Sequence, residues 1–147
     1  MPMSVSNLPA SPMQGPTRLT SIGYVERALE TPLVHDLMRP HFHVQQESFL
    51  LLAFDTSDRL VRMEEAMGLS QQHCIIPQHL WRALLSPNVS RVVMAHNHPS
   101  GIAWPSSIDR QSTIRAVMML DLLGISLQDH LIFVDHGHYS FRRAGLL

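Results

Sequence analysis

Two rhythms of apolar and polar residues run along this chain. Thr20 to Leu33 places Ile22, Val25 and Leu29 at i, i+3 and i+7, a spacing that predicts a helix. Pro32 lies near its end, and Pro40 closes the connection that follows. Phe49 to Phe54 (FLLLAF) is a near-continuous apolar run, long enough for a buried strand. Asp55-Thr-Ser-Asp58 reads as a turn, and Arg59 to Ala66 resumes as a second strand, so the pair predicts a hairpin. Gly68 marks another break. Pro77 suits the first position of a short helix, QHLWRALL, which Pro87 ends.

Arg91 to Ala95 (RVVMA) predicts a strand whose end delivers His96. A loop carrying Pro99, Gly101 and Pro105 leads to a second helix, roughly Ser107 to Leu123. Its expected buried face is Ile114, Val117, Met118 and Leu122, and Gly124 fits its C-terminal cap. Ile125–Leu127, Leu131–Val134 and His138–Phe141 read as short final strands. Asp135-His-Gly137 is a tight turn between the last two. The opening residues are rich in Pro and Ser and have no apolar period. The expected division is therefore a flexible tail over 1–19 and one domain over 20–147. The expected fold class is α/β, a mixed sheet with helices packed on it, which names no function by itself.

Composition narrows the field. With 147 residues, there is room for one ordinary domain. A net charge of -1 gives no basis for a dedicated nucleic-acid binder. No apolar run approaches the ~18–20 residues of a membrane span. Met1 to Leu19 lacks the charged and apolar regions of a secretion signal, so the expected compartment is the cytoplasm. A single cysteine, Cys74, excludes an internal disulfide and a Cys-rich zinc finger, and a small buried apolar role is expected for it. Asn88-Val-Ser90 formally matches a glycosylation acceptor, which a cytoplasmic chain would not use. Ten His remain, so any metal would be held by imidazole and carboxylate.

The informative stretch runs from His96-Asn-His98 through Pro99, Gly101 and Pro105 to Ser106-Ser-Ile-Asp109. Two His at i and i+2 on a strand end point to the same side. A stiff loop can bring Asp109, in the first turn of the next helix, back to them. Two neutral imidazoles and a carboxylate suit zinc and leave a fourth tetrahedral position open, as in catalytic sites. Each feature alone is ordinary. His-x-His recurs at His41/His43 and His136/His138, and Ser106-x-x-Asp109 is also a capping box. His136/His138 has no carboxylate at a defined spacing, and His41/His43 reads as a connector. The conjunction is what points to chemistry.

That conjunction, His-x-His-x7-Ser-x2-Asp, resembles the JAMM (JAB1/MPN) metalloproteases, and HNHPSG…PS..D is similar to their RadC branch. ESFLLLAFDTSDRL resembles that branch's first hairpin, IIPQHLWRALL its proline-led helix, and LGISLQDHLIFVDHGHYSFRRAGLL its C-terminal strands. The resemblance spans roughly Ser21 to Leu147. It implies a cytidine-deaminase-like α/β fold, bound Zn2+, and peptide or isopeptide hydrolysis. Position by position it implies His96, His98 and Asp109 as metal ligands and Ser106 as the group that stabilises the tetrahedral intermediate. It also implies an upstream glutamate that activates the water on the metal. Glu47, opening the first apolar strand, is the preferred match, with Glu64 and Glu65 as competitors. Asp129-His130 belongs to the pattern in a supporting role, and Trp104 either shapes a substrate pocket or packs on the helix start.

RadC-type proteins often carry an N-terminal helix-hairpin-helix region associated with DNA. The stretch before Glu47 does not resemble one, so direct nucleic-acid binding is not expected. The expected partner is a peptide or protein substrate, with no membrane, and homodimerisation is left open. Two further function classes compete with the hydrolase. One is a metal-binding interaction module with no turnover. The other is a zinc deaminase or other amidohydrolase, which a single cysteine disfavours because base deaminases take Pro-Cys-x-x-Cys ligands.

Overall fold

Residues 22–42, 45–67 and 76–147 are described by the computed structural model. The tail assigned to 1–19, and Thr20, Ser21, His43, Gly68 and Cys74, lie outside them. Six strands form one sheet: β1 (Tyr24–Glu26), β2 (Ser48–Phe54), β3 (Leu60–Met67), β4 (Arg91–Asn97), β5 (Ser126–Val134) and β6 (Gly137–Ser140). Among the described residues they are accompanied by the α-helices α1 (Gln78–Leu84) and α2 (Ser107–Leu122).

The FLLLAF run becomes β2, and every residue of that strand is buried. Phe49, Leu51 and Ala53 feed one core, while Leu50, Leu52 and Phe54 feed the other, as the two-residue period of a strand requires. A strand can be apolar at every position only if it is covered on both faces. On the first face, Leu80 and Leu84 of α1 and Ala116 and Leu120 of α2 supply the cover. On the second, Val34, Met38 and Phe42 supply it. β2 pairs antiparallel with β3, as the hairpin reading expects, and also with β4. The order across the sheet is β1–β6–β5–β4–β2–β3. Only β4 and β5 run parallel, with α2 as their crossover. The result is the mixed α/β sheet flanked by helices that the sequence predicts.

Three local expectations are corrected. In its described part, the helix predicted over Thr20–Leu33 does not continue past Gly23. Residues 24–26 are a strand and 27–29 a 3-10 turn, and the helical backbone comes later, as a π turn over Leu33–Met38 and a 3-10 turn over Arg39–His41. Ile22 and Leu29, expected on a buried face, are 48% and 73% exposed. Pairing with β6 outweighs a three-point local period. Gly137 permits it, since a Cβ there would lie 2.3 Å from the Val25 carbonyl oxygen.

Ile125–Leu127 and Leu131–Val134 are not separate strands, because Ser126–Val134 is continuous. The polar Gln128-Asp-His130 breaks the apolar pattern without breaking the strand, since His130 is itself buried. Third, α2 turns a different face inward. Asp109, Thr113, Ala116 and Leu120 are buried, while Ile114, Met118 and Leu122 are 59%, 64% and 88% exposed, and Val117 is partly buried. Apolar and polar residues are both spread around the helix, so periodicity alone could not set its rotation.

Candidate metal centre

The site lies where β4 ends, at the carboxyl edge of the parallel pair, the usual place for ligands in sheets with βαβ crossovers. His96 is the penultimate residue of β4 and is fully buried, stacked on Phe49 with ring centroids 5.0 Å apart. His98 follows the strand, anchored by its amide to the Phe133 carbonyl at 2.9 Å. The chain then reverses through Gly101, whose φ of +81° suits a residue without a side chain. Ser106 caps α2. Its hydroxyl oxygen accepts from the Asp109 amide at 3.0 Å, and Asp109 Oδ2 accepts from the Ser106 amide at 2.8 Å. The capping box therefore fixes Asp109 against the two imidazoles. His96 Nε2 and His98 Nε2 are 3.0 Å apart, and each is 3.2 Å from one oxygen of Asp109. The three residues form a group able to hold a metal ion.

The neighbours of these atoms fix which of them donate and which accept. The Thr113 hydroxyl donates its one proton to the Asp109 carbonyl oxygen at 2.7 Å. Towards His130 Nδ1, 2.6 Å away, it can then only accept, so His130 carries its proton on Nδ1. Burial holds His130 well below the usual imidazole range and keeps it neutral. Its bare Nε2, 2.8 Å from His96 Nδ1, accepts the proton there. Neutral His96 is left with a lone pair on Nε2. His98 Nδ1 donates to the Ile102 carbonyl at 2.7 Å, which likewise leaves a lone pair on Nε2 in the neutral ring.

Two imidazole lone pairs and a carboxylate thus face one another at hydrogen-bond distance with no proton of their own to share. Such a cluster is satisfied by a cation or by an added proton. Of the two imidazoles, His98 is the one raised above the usual range. Burial alone would lower His98, but its bonds to Asp109 and to the Ile102 carbonyl raise it. His96 is lowered, chiefly by burial. Burial would raise Asp109, but the two imidazoles beside it hold its carboxyl far below the usual range.

Glu47 precedes β2 by one residue and is half-buried. Burial raises its carboxyl, His98 lowers it, and Asp109 raises it further, which puts it in the field of the same cluster. Glu64 and Glu65 sit apart on β3, where Glu64 pairs with Arg62 at 3.3 Å and Glu65 with His41. Ser106 is exposed, and its oxygen accepts from the Asp109 amide while its own proton is left to give. Trp104 packs edge-on against Tyr24 and Tyr139 in a third core cluster.

Sequence reasoning missed two arrangements. Thr113, one turn after Asp109, completes the relay to His96; its i, i+4 spacing from the aspartate was the available signal. His138 does have a carboxylate partner, contrary to expectation. Glu30 bonds His138 Nδ1 at 2.6 Å and receives a two-pronged contact from Arg39, with all three side chains nearly buried. No local spacing could reveal a pair so distant in the chain. Among the described residues, no helix is long and apolar enough to cross a membrane.

A family model described as the RadC-like JAB domain matches residues 30–146. Among curated proteins, the chain is 38% identical over 106 residues to the UPF0758 protein Mmwyl1_0624 of Marinomonas sp. (strain MWYL1), covering 71% of this chain and 47% of that protein. It is 40% identical over 101 residues to the UPF0758 protein Bxeno_A3578 of Paraburkholderia xenovorans (strain LB400), covering 68% and 40%. A UPF0758 protein of Saccharophagus degradans is 33% identical over 137 residues, 92% of this chain and 58% of its own length. The chain spans about half the length of the curated relatives it matches.

Proposed function

The chain belongs to the RadC-like JAB domain family, and from that premise we propose that it is a zinc-dependent peptide or isopeptide hydrolase. The observation that carries the reading is the pair of unshared Nε2 lone pairs on His96 and His98, 3.0 Å apart and each 3.2 Å from Asp109. Two imidazoles and one carboxylate are a borderline-soft donor set that suits zinc and leaves a coordination position for chemistry. His96, His98 and Asp109 would hold the ion. When bound, zinc supplies Lewis acidity that polarises a carbonyl and brings the ionisation of water towards neutral pH.

The chain's own residues do the rest. Glu47, beside the cluster and raised by burial, takes a proton from the attacking water and passes it to the leaving amine. The Ser106 hydroxyl keeps its proton for the developing oxyanion, because its oxygen accepts in the capping box. The Thr113–His130 relay holds His96 in the tautomer that binds metal. Asp109→Asn tests the site while keeping an oxygen for the helix cap. Elemental analysis should show about one zinc per wild-type chain, most of it lost in Asp109→Asn and retained in His136→Ala. Equal zinc in wild type and Asp109→Asn would refute the assignment.

A further inference from the structure

A cavity of about 530 Å³ adjoins the centre, with His98 and Pro99 in one wall and Phe42, Phe133 and Val134 among its apolar lining. Phe42 stacks on Phe133 with centroids 4.7 Å apart. Apart from the metal cluster, the polar groups around it have partners within the protein. Arg39 gives its N–H groups to Glu30 and to the Val134 and Gly137 carbonyls. The Asn97 carboxamide accepts from the Ser48 amide at 2.8 Å and donates to the Gln46 carbonyl at 2.8 Å. At the rim, Arg27 contacts Asp135, and His35 bonds Asp36 at 2.8 Å. Charges there are matched within the protein. A charged or strongly polar side chain entering the cavity would surrender water and find its prospective partners taken. An apolar side chain would gain burial against the half-buried Phe42 ring, which Phe133 supports from beneath.

Building on the hydrolase reading, we infer that this cavity is a specificity subsite. It receives a bulky uncharged side chain, aromatic or branched aliphatic, from the residue beside the amide presented at the metal centre. Its position fits this role because His98 belongs both to the cavity wall and to the metal cluster. Phe42 is then the specificity-determining residue, and the buried Phe133 holds its ring in place.

The test is a binding series, so it does not depend on turnover. Capped pentapeptides Gly-Gly-Xaa-Gly-Gly, with Xaa as Phe, Leu, Ala, Asp or Lys, are titrated by NMR into zinc-loaded and metal-free Glu47→Gln protein. The Phe and Leu peptides should bind about 10- to 100-fold more tightly than the Ala peptide, the range for burying one large apolar side chain. The Asp and Lys peptides should bind no better than Ala. Phe42→Ala in the same background should shrink the Phe-over-Ala ratio to below about threefold. If Phe42→Ala does not fold, Phe42→Leu should lower the preference for Phe over Leu. Equal affinity across the series, a preference for Asp or Lys, or no binding by any peptide would overturn the subsite, even with zinc bound as proposed. Loss of the hydrolase reading would show separately, as zinc content that Asp109→Asn does not change, and the metal-free series would still decide the cavity.

Discussion

Thr113→Val isolates the relay behind His96. The hydroxyl touches no ligand atom; it accepts from His130 and donates to the Asp109 carbonyl. Thr113 is 2% exposed and His130 is 0% exposed, so bulk water cannot readily replace the lost oxygen. Valine leaves the His130 Nδ1 proton without an acceptor, a buried loss of about 1–3 kcal/mol that should lower the melting temperature by several degrees. His130 can relieve the loss by moving its proton to Nε2. That proton would face His96 Nδ1, and His96 would then carry its own proton on Nε2, where it opposes a metal. Outer-shell changes of this kind commonly cost about 10- to 100-fold in metal affinity, or about 1.4–2.7 kcal/mol. Competition with a chromogenic chelator at neutral pH measures the loss, and Thr113→Ser should restore affinity towards wild type. A folded Thr113→Val protein that binds zinc within about twofold of wild type would refute the tautomer argument.

Glu47→Gln should retain zinc and melting temperature while hydrolysis falls about 10²–10⁴-fold, the usual cost of a lost general base, as followed by peptide cleavage and elemental analysis. Zinc affinity should weaken as pH falls from about 7 to 5, because protons displace metal from neutral imidazole, and competition should set in above the ordinary His value of about 6.5 because His98 is raised; a flat titration would exclude His98 from the site. For Glu30, burial raises the carboxyl, but the bonds from Arg39 and His138 outweigh it and the net direction is down. Its contribution to stability is therefore present above the ordinary carboxylate range and is lost as pH falls through the depressed folded value. Glu30→Gln should destabilise the domain by about 3–5 kcal/mol at pH 7, as expected for breaking a buried charged pair, and the gap in denaturation midpoint should narrow in acid.

The sequence by itself determined the elements whose signals are local. FLLLAF reads as a buried strand, and the spacing from His96 to Asp109 already named the three residues that the fold brings together. The tight turn at Asp135 likewise needed no more than its neighbours, since Val134 pairs with Gly137 across it. Tertiary structure decided what depends on partners far along the chain. The segment around Val25 became a strand because the edge of β6 was open and Gly137 let it approach. The rotation of α2 was ambiguous because its apolar and polar residues are both spread around the helix. It was settled by Leu120 and Ala116 entering the core and Asp109 reaching the imidazoles on one face. Glu30 met His138, and Thr113 met His130, only after folding, because hydrogen-bond partners from separate elements leave no period to read. The tautomer of His96 rests on the second of those meetings: a ligand's identity is written in its own residue, but the side on which it carries its proton is imposed by its neighbours.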